Sequence, residues 1–380
     1  MLRIRLRNPF RNGRRRGGWS RVRSSVASAV LVAAAAVATV VSVPSAAMAQ
    51  NRDFAYVTNS SAGTVSVIDI AANRVTATIP VGLTPLQVAI SPNGTRAYVT
   101  NEGSNTVSVI NTLTNGVVKN IPVGMGPFAV AVSPDGARVY VTNATAGSVS
   151  VIDAATNGVV ATVPVGATPS GVAVSPNGGQ VYVTNLNSDT VSVINTADNA
   201  VVGQPITVGH APVGVAFTPD GARAYVADAG ASAVSVINTV TRVVDPNIPT
   251  GTGSDPDRVV ISPDGARAYV SVPSLNTVEV INTVTNQVTT AIPVAVSPFG
   301  LALSPSGNRL YAANNDSDNV AVIDTVTNKV IGTVAVGGHP LGVATGRVVT
   351  DDPQSRVPTQ IRRHKIRRHY HQKIRQSQDG

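Results

Sequence analysis

The 380 residues include no Cys, so disulfides, thiolate nucleophiles and cysteine metal sites are excluded, and any chemistry must come from oxygen and imidazole groups. Few side chains could supply it. Asp255, Asp257 and Arg258 put three charges into four residues, and His210, His339 and Gln87 occupy related stretches of sequence. Carboxylates and imidazoles meeting at one point would suit a metal ion or acid–base work. The plainer alternative is an ion pair between Asp257 and Arg258 with both His solvated. Asn315-Asp316-Ser317-Asp318-Asn319 alternates oxygen ligands as hard cations prefer, but it lacks the turn Gly and distal Glu of a calcium loop and reads as a solvated connector. The only glutamates, Glu102 and Glu279, are far apart, which argues against paired-glutamate hydrolysis. Gly-x-Ser-x-Gly and phosphate-loop patterns are absent. The sequence assigns no catalytic residue, metal or cofactor.

What must position these groups is a repeat. Tyr56, Tyr98, Tyr140, Tyr182, Tyr225, Tyr269 and Tyr311 are spaced by 42, 42, 42, 43, 44 and 42 residues. Each unit reads approximately YVTN, a polar turn, TVSVIN, a turn such as NTVTN, a Val/Thr-rich run ending in IPVG, then PxxVAxSPDG. Thr106 to Asn111 alternates with period two, as a strand does, and Pro134-Asp135-Gly136 presets the dihedral angles of a tight turn. Four short antiparallel strands in about forty residues make the blade of a β-propeller.

The repeat is out of phase with the chain. It enters at a second strand, Phe54 to Asn59, and the PxxVA element that should precede that strand appears only at Pro340 to Ala344. The expected fold is therefore all-β: a seven-bladed propeller of four-stranded antiparallel blades, closed by a three-plus-one latch of N- and C-terminal strands. Gly171, Gly214, Gly300 and Gly342 suit inner strands crowded near the axis. The domain reading is 1–49 a secretory signal, 50–346 the propeller, and 347–380 a polar linker with a basic, disordered tail.

YVTN at Tyr56 to Asn59, Tyr98 to Asn101, Tyr140 to Asn143 and Tyr182 to Asn185, with the SPDG or SPNG turns, resembles the YVTN-type β-propeller repeat family over about residues 52 to 346. The resemblance implies a fold shared with surface-layer and other secreted propellers, and more distantly with lactonase-like and quinoprotein-like seven-bladed folds. It carries over no catalytic residue. Tyr225 to Asp228, Tyr269 to Val272 and Tyr311 to Asn314 depart from YVTN.

In such a ring the loops entering each inner strand, with those after YVTN, surround one mouth of the central channel. Asp255-Pro256-Asp257-Arg258 replaces small or apolar fillers in the sixth blade, Gln87 replaces a small residue in the second, and His210 and His339 lie in inner-strand entry loops. Gln87, His210, Asp255, Asp257, Arg258 and His339 are the candidate binding residues of that mouth.

Charge divides unevenly. Residues 1–50 carry nine Arg and no acid, residues 51–350 carry 12 basic and 17 acidic groups, and residues 351–380 carry eight basic and three acidic groups. An apolar run from Val26 to Val43 follows the first arginines and precedes Pro44 and Ala47-Met48-Ala49, as in a secretory signal cleaved before Gln50. Its 18 residues would also suit a membrane anchor, but its Ala/Val composition and the Pro ahead of the Ala-x-Ala site favour cleavage. Cleavage removes Trp19, the sole Trp, and with it the usual platform for sugars and unstacked bases.

Arg362, Arg363, Lys365, Arg367, Arg368, Lys373 and Arg375 make the tail a candidate anion-binding segment for wall polymer, lipid head groups or extracellular nucleic acid. The expected protein is a secreted or envelope-associated monomer: a non-catalytic binding or scaffold module whose mouth takes an envelope protein or polymer and whose tail tethers by charge. The alternative is a lactonase-like or other hydrolase with a metal site at the mouth.

Overall fold

The computed structural model describes residues 50–350, which form seven antiparallel sheets. Blade 1 is assembled from both ends, with Pro340–Thr350 as its inner strand beside Gln50–Asn59, Thr64–Asp69 and Arg74–Pro80. Blades 2 to 7 come next in chain order, each running from an inner to an outer strand. The expected latch is therefore present. Its ladder pairs Gln50 with Thr350, Phe54 with Gly346 and Val57 with Val343. The signal and the tail, including the seven tail cations, lie outside the described residues.

The blades hold together through the residues that recur. Each repeat Tyr is buried against the following blade: Tyr56 packs with Val65, Val67 and Ile79 of its own sheet on Val88, Val99 and Ile110 of blade 2. The same arrangement at the closing seam sets Val320, Val322 and Tyr311 of blade 7 on Ala55, Val57 and Ile68 of blade 1. Burying a large apolar body at each of seven seams is the main force for closure, on the order of 2 kcal/mol per side chain.

The Thr of YVTN adds a polar rivet. Thr58 Oγ1 accepts from Gly342 N–H at 2.7 Å in its own blade and donates to the Leu86 carbonyl of the next at 2.8 Å. Thr100, Thr142 and Thr184 repeat the bridge. Each satisfies backbone groups that would otherwise be buried unpaired between sheets.

Asn of YVTN locks the mouth end. Asn59 donates to Thr64 Oγ1 and Ser66 Oγ at 2.9 and 3.0 Å and accepts from Gly337 N–H at 3.1 Å. The preceding blade's VG turn sits so close that a Cβ on Gly337 would lie 2.7 Å from Asn59 Cγ, so Gly is the residue that fits.

Two blades depart from the pattern. The outer strand of blade 4 breaks into Ala200–Val201 and Ile206–Thr207, because Gly203 takes a φ of 71° and Pro205 cannot donate. In blade 6 the inner strand shrinks to Val259–Ile261 just after Asp257 and Arg258.

Candidate functional site

Strand direction places the entry loops and the loops after YVTN at one end of the ring, the mouth, and the SPDG and NTVTN turns at the other. The third inner-strand position faces crowded space near the axis: a Cβ on Gly171 would lie 2.2 Å from the Val213 carbonyl oxygen. Blades 2 and 6 place long side chains there instead, Gln87 and Arg258.

Blade 6 stands across the ring from blades 2 and 3, and Arg258 spans the gap. With its oxygen turned toward the guanidinium, the Gln87 amide accepts from Arg258 Nη2 at 2.9 Å and from Nε at 3.0 Å. Arg258 Cζ also lies 5.4 Å from the centroid of the Phe128 ring in blade 3, a cation–π contact. Asp257 Oδ1 is 3.5 Å from Arg258 Nε. Burial pushes the Asp257 carboxyl up, Arg258 opposes that shift, and Asp255 reinforces it. These contacts form a cross-brace over the channel.

The remaining candidates stand apart from this brace. His210 Nδ1 is 3.0 Å from Asp189 Oδ1 in blade 4, and Asp189 also accepts from Ala211 N–H at 2.9 Å. That backbone donor, then the imidazole, holds the Asp189 carboxyl below its ordinary range. His339 Nδ1 is 3.3 Å from Asn315 Oδ1 and 3.8 Å from Asp316 Oδ1. Asp318 Oδ1 accepts from His339 N–H at 2.8 Å, and Asp316 accepts from Ser297 Oγ. The Asn315–Asn319 run thus brackets the neighbouring entry loops. Asp255 is exposed and accepts from Ser274 N–H at 2.8 Å. Gln87, Asp257 and Arg258 come together, while His210 and His339 each join a different pair of blades. Among the described residues no three His, Cys, Asp or Glu side chains meet in a way that could hold a metal ion.

Two further carboxyls sit beneath the mouth, where the sequence reading placed no site. Asp228 replaces the YVTN Asn in blade 5 and is fully buried; Ser235 Oγ donates to its Oδ2 at 2.5 Å and its Oδ1 has no partner. Glu279 replaces the Ser of TVSVIN in blade 6, and its buried Oε2 is likewise unpartnered. Desolvation pushes each to about 7. The available signal was the break in repeat register at these two positions.

Three surface clefts among the described residues lie at the opposite end, between blades. One of about 700 Å³ at the closing seam is lined by Asp53, Asp69, Asn308, Arg309 and Arg347. Its cations are engaged: Arg309 donates to the Ile70 carbonyl, and Arg347 Nε lies 3.1 Å from Asp53 Oδ1. Mouth and cleft are separate features, and the unusual residues belong to the mouth.

Residues 89–176 and 117–224 match the family model described as a YNCE-like beta-propeller. No curated protein matches the sequence. Among solved structures, hydrazine synthase of Kuenenia stuttgartiensis is similar at 25% identity and a TM-score of 0.66, over 71% of this chain and 92% of that one. A functionally unknown protein from Desulfotomaculum acetoxidans is similar at 21% identity and a TM-score of 0.67, over 78% and 99% of the two chains. A putative 6-phosphogluconolactonase from Bacteroides uniformis is similar at 18% identity and a TM-score of 0.67, over 78% and 100%. The last two likenesses speak to the fold alone.

Proposed function

We propose that this chain, a YNCE-like β-propeller of the YVTN-repeat type, is an exported, non-catalytic binding module that works through its mouth. The observation that carries this reading is the Arg258 brace. Arg258 reaches across to Gln87 and Phe128, and so bridges the channel beneath the mouth with groups already bound to each other. A floor of this kind favours capture of a surface or a segment over enclosure of a small substrate, which typically sits in a pocket burying most of its area. His210 and His339 are exposed and lie against Asp189 and Asn315 at the rim instead of joining the brace. The arginine-rich start, apolar run and Ala-x-Ala site support export.

The test is turnover by the full chain on a panel of lactones and esters with divalent cations supplied. The expected result is no rate above buffer. Turnover that Asp257→Asn abolishes would replace this reading with a hydrolytic one. Export is checked by intact mass of the protein recovered outside the cytoplasm, which should begin at Gln50.

A further inference from the structure

The two ends of the ring differ in charge. Of the twelve Lys and Arg of residues 51–350, ten stand at the SPDG end, Lys119 is midway along an outer strand, and Arg258 alone is at the mouth. Eight of the 17 acids are at the mouth. Asp228, Asp257 and Glu279 are the inward ones described above. The other five, Glu102, Asp189, Asp255, Asp316 and Asp318, are spread around the rim and reach solvent. Large aliphatic side chains are exposed between them. Leu83 is 67% and Met125 59% accessible, in entry loops, with Val296 and Leu275 also exposed on this end. The mouth is thus an acidic face studded with apolar tips, and its one cation is already held by Asp257, Gln87 and Phe128.

The chain leaves from the opposite end. Its innermost strand runs from the mouth at Pro340 down to Thr350, which pairs with Gln50 beyond the SPDG turns. Beyond Thr350 the sequence includes Ile361-Arg362-Arg363-His364-Lys365-Ile366-Arg367-Arg368-His369-Tyr370 and then Lys373-Ile374-Arg375. This run complements the mouth twice over, by positive charge and by Ile and Tyr every four or five residues.

Its own mouth is out of reach for the first half of it, which holds Arg362, Arg363, Lys365 and Arg367. Twelve residues separate Thr350 from Arg362, about 40 Å when fully extended. The way around the ring crosses four strands spaced about 4.8 Å apart, climbs a strand of about 20 Å and returns, on the order of 60 Å with loops. The direct way through the axis is crossed by the Arg258–Gln87 bridge.

We infer that the mouth face docks the basic segment 361–375 of a second copy of this chain, a head-to-tail contact between unlike surfaces. This rests on the mouth being a binding surface and names its ligand. Because the two surfaces differ, each added copy presents a fresh mouth or a fresh tail, and association continues past the dimer unless the ring of copies closes. Opposite charges on exposed groups make the contact sensitive to salt.

The test is sedimentation velocity of the chain from Gln50 to Gly380, from low to high micromolar concentration. Association beyond a dimer is expected at low ionic strength, with loss in about 0.5 M salt, where screening acts within a few ångströms. Two variants separate the surfaces: Asp255→Asn with Asp316→Asn and Asp318→Asn, which keeps the loop acceptors, and Arg362→Gln with Arg363→Gln, Arg367→Gln and Arg368→Gln. Each should be monomeric at low salt. Both variants, like the wild type, begin at Gln50, so the apolar N-terminal run takes no part, and association that survives in either would overturn the inference. A wild type that stays monomeric, or a tail cross-linked to the mouth within a single-chain mass, would overturn it as well. None of these results bears on turnover, so the binding reading of the mouth stands or falls separately.

Discussion

Asp228→Asn restores the residue that blades 1 to 4 and 7 carry at the same place, and it should change how the protein's stability depends on pH. Asp228 is fully buried against the Gly209 turn, and desolvation moves its carboxyl from 3.8 to about 7. Between those values the native state keeps a proton that the unfolded chain has released, so raising the pH through that window favours unfolding. From pH 5 to pH 8 the shift costs the native state roughly 3 kcal/mol. At an unfolding entropy of about 2.1 cal/mol/K per residue over some 300 residues, that is about 5 °C in Tm.

Asparagine does not titrate, and Asn59 shows that an amide satisfies both the hydroxyls below it and the glycine N–H above it. The assay is calorimetry of wild type and variant at both pH values. Glu279 shifts in the same direction, so the wild type should lose more than this single share, but that contribution cancels in the comparison. The Tm of Asp228→Asn relative to wild type should rise by about 5 °C between pH 5 and pH 8. An unchanged difference would mean that Asp228 is ionised in the native state near pH 6, and the desolvation argument would fail.

Two other substitutions probe the closure and the brace. Gly342→Ala places a Cβ 2.5 Å from the Leu86 carbonyl oxygen in the latch, and should cost about 2 kcal/mol, seen as a lower Tm. Gly332→Ala, on an outer strand with nothing within 4 Å, should stay within about 0.5 kcal/mol of wild type and serves as the control. Arg258→Ala leaves Asp257 inside without its cation. At pH 8 that should cost about 3 kcal/mol, and less at pH 5, where the carboxyl is more readily protonated; equal losses would argue against the pair.

Blade number, strand order and closure were legible in the sequence because each is written locally and then repeated. The Tyr spacing sets the count, the Pro-Asp-Gly and Asn turns set the strand ends, and the displaced PxxVA run at Pro340 dictates that the last strand joins the first sheet. The odd residues were legible too, since a repeat supplies its own average, and Gln87, Asp257 and Arg258 stand out against it. Their meeting was not. Gln87 and Arg258 lie 171 positions apart, and only the curvature of the closed ring sets blade 6 opposite blades 2 and 3.

The same holds for His210 and His339, whose partners come from whichever loop the adjoining blade presents, and for Asp228 and Glu279, which look like mild polar exchanges until a neighbouring sheet strips away their water. Periodicity is a property of the chain, so the sequence alone determined the architecture. Distance across an axis and loss of solvent are properties of the packed ring, so tertiary structure decided which charges pair, which carboxyls burial pushes up, and which face carries the acids.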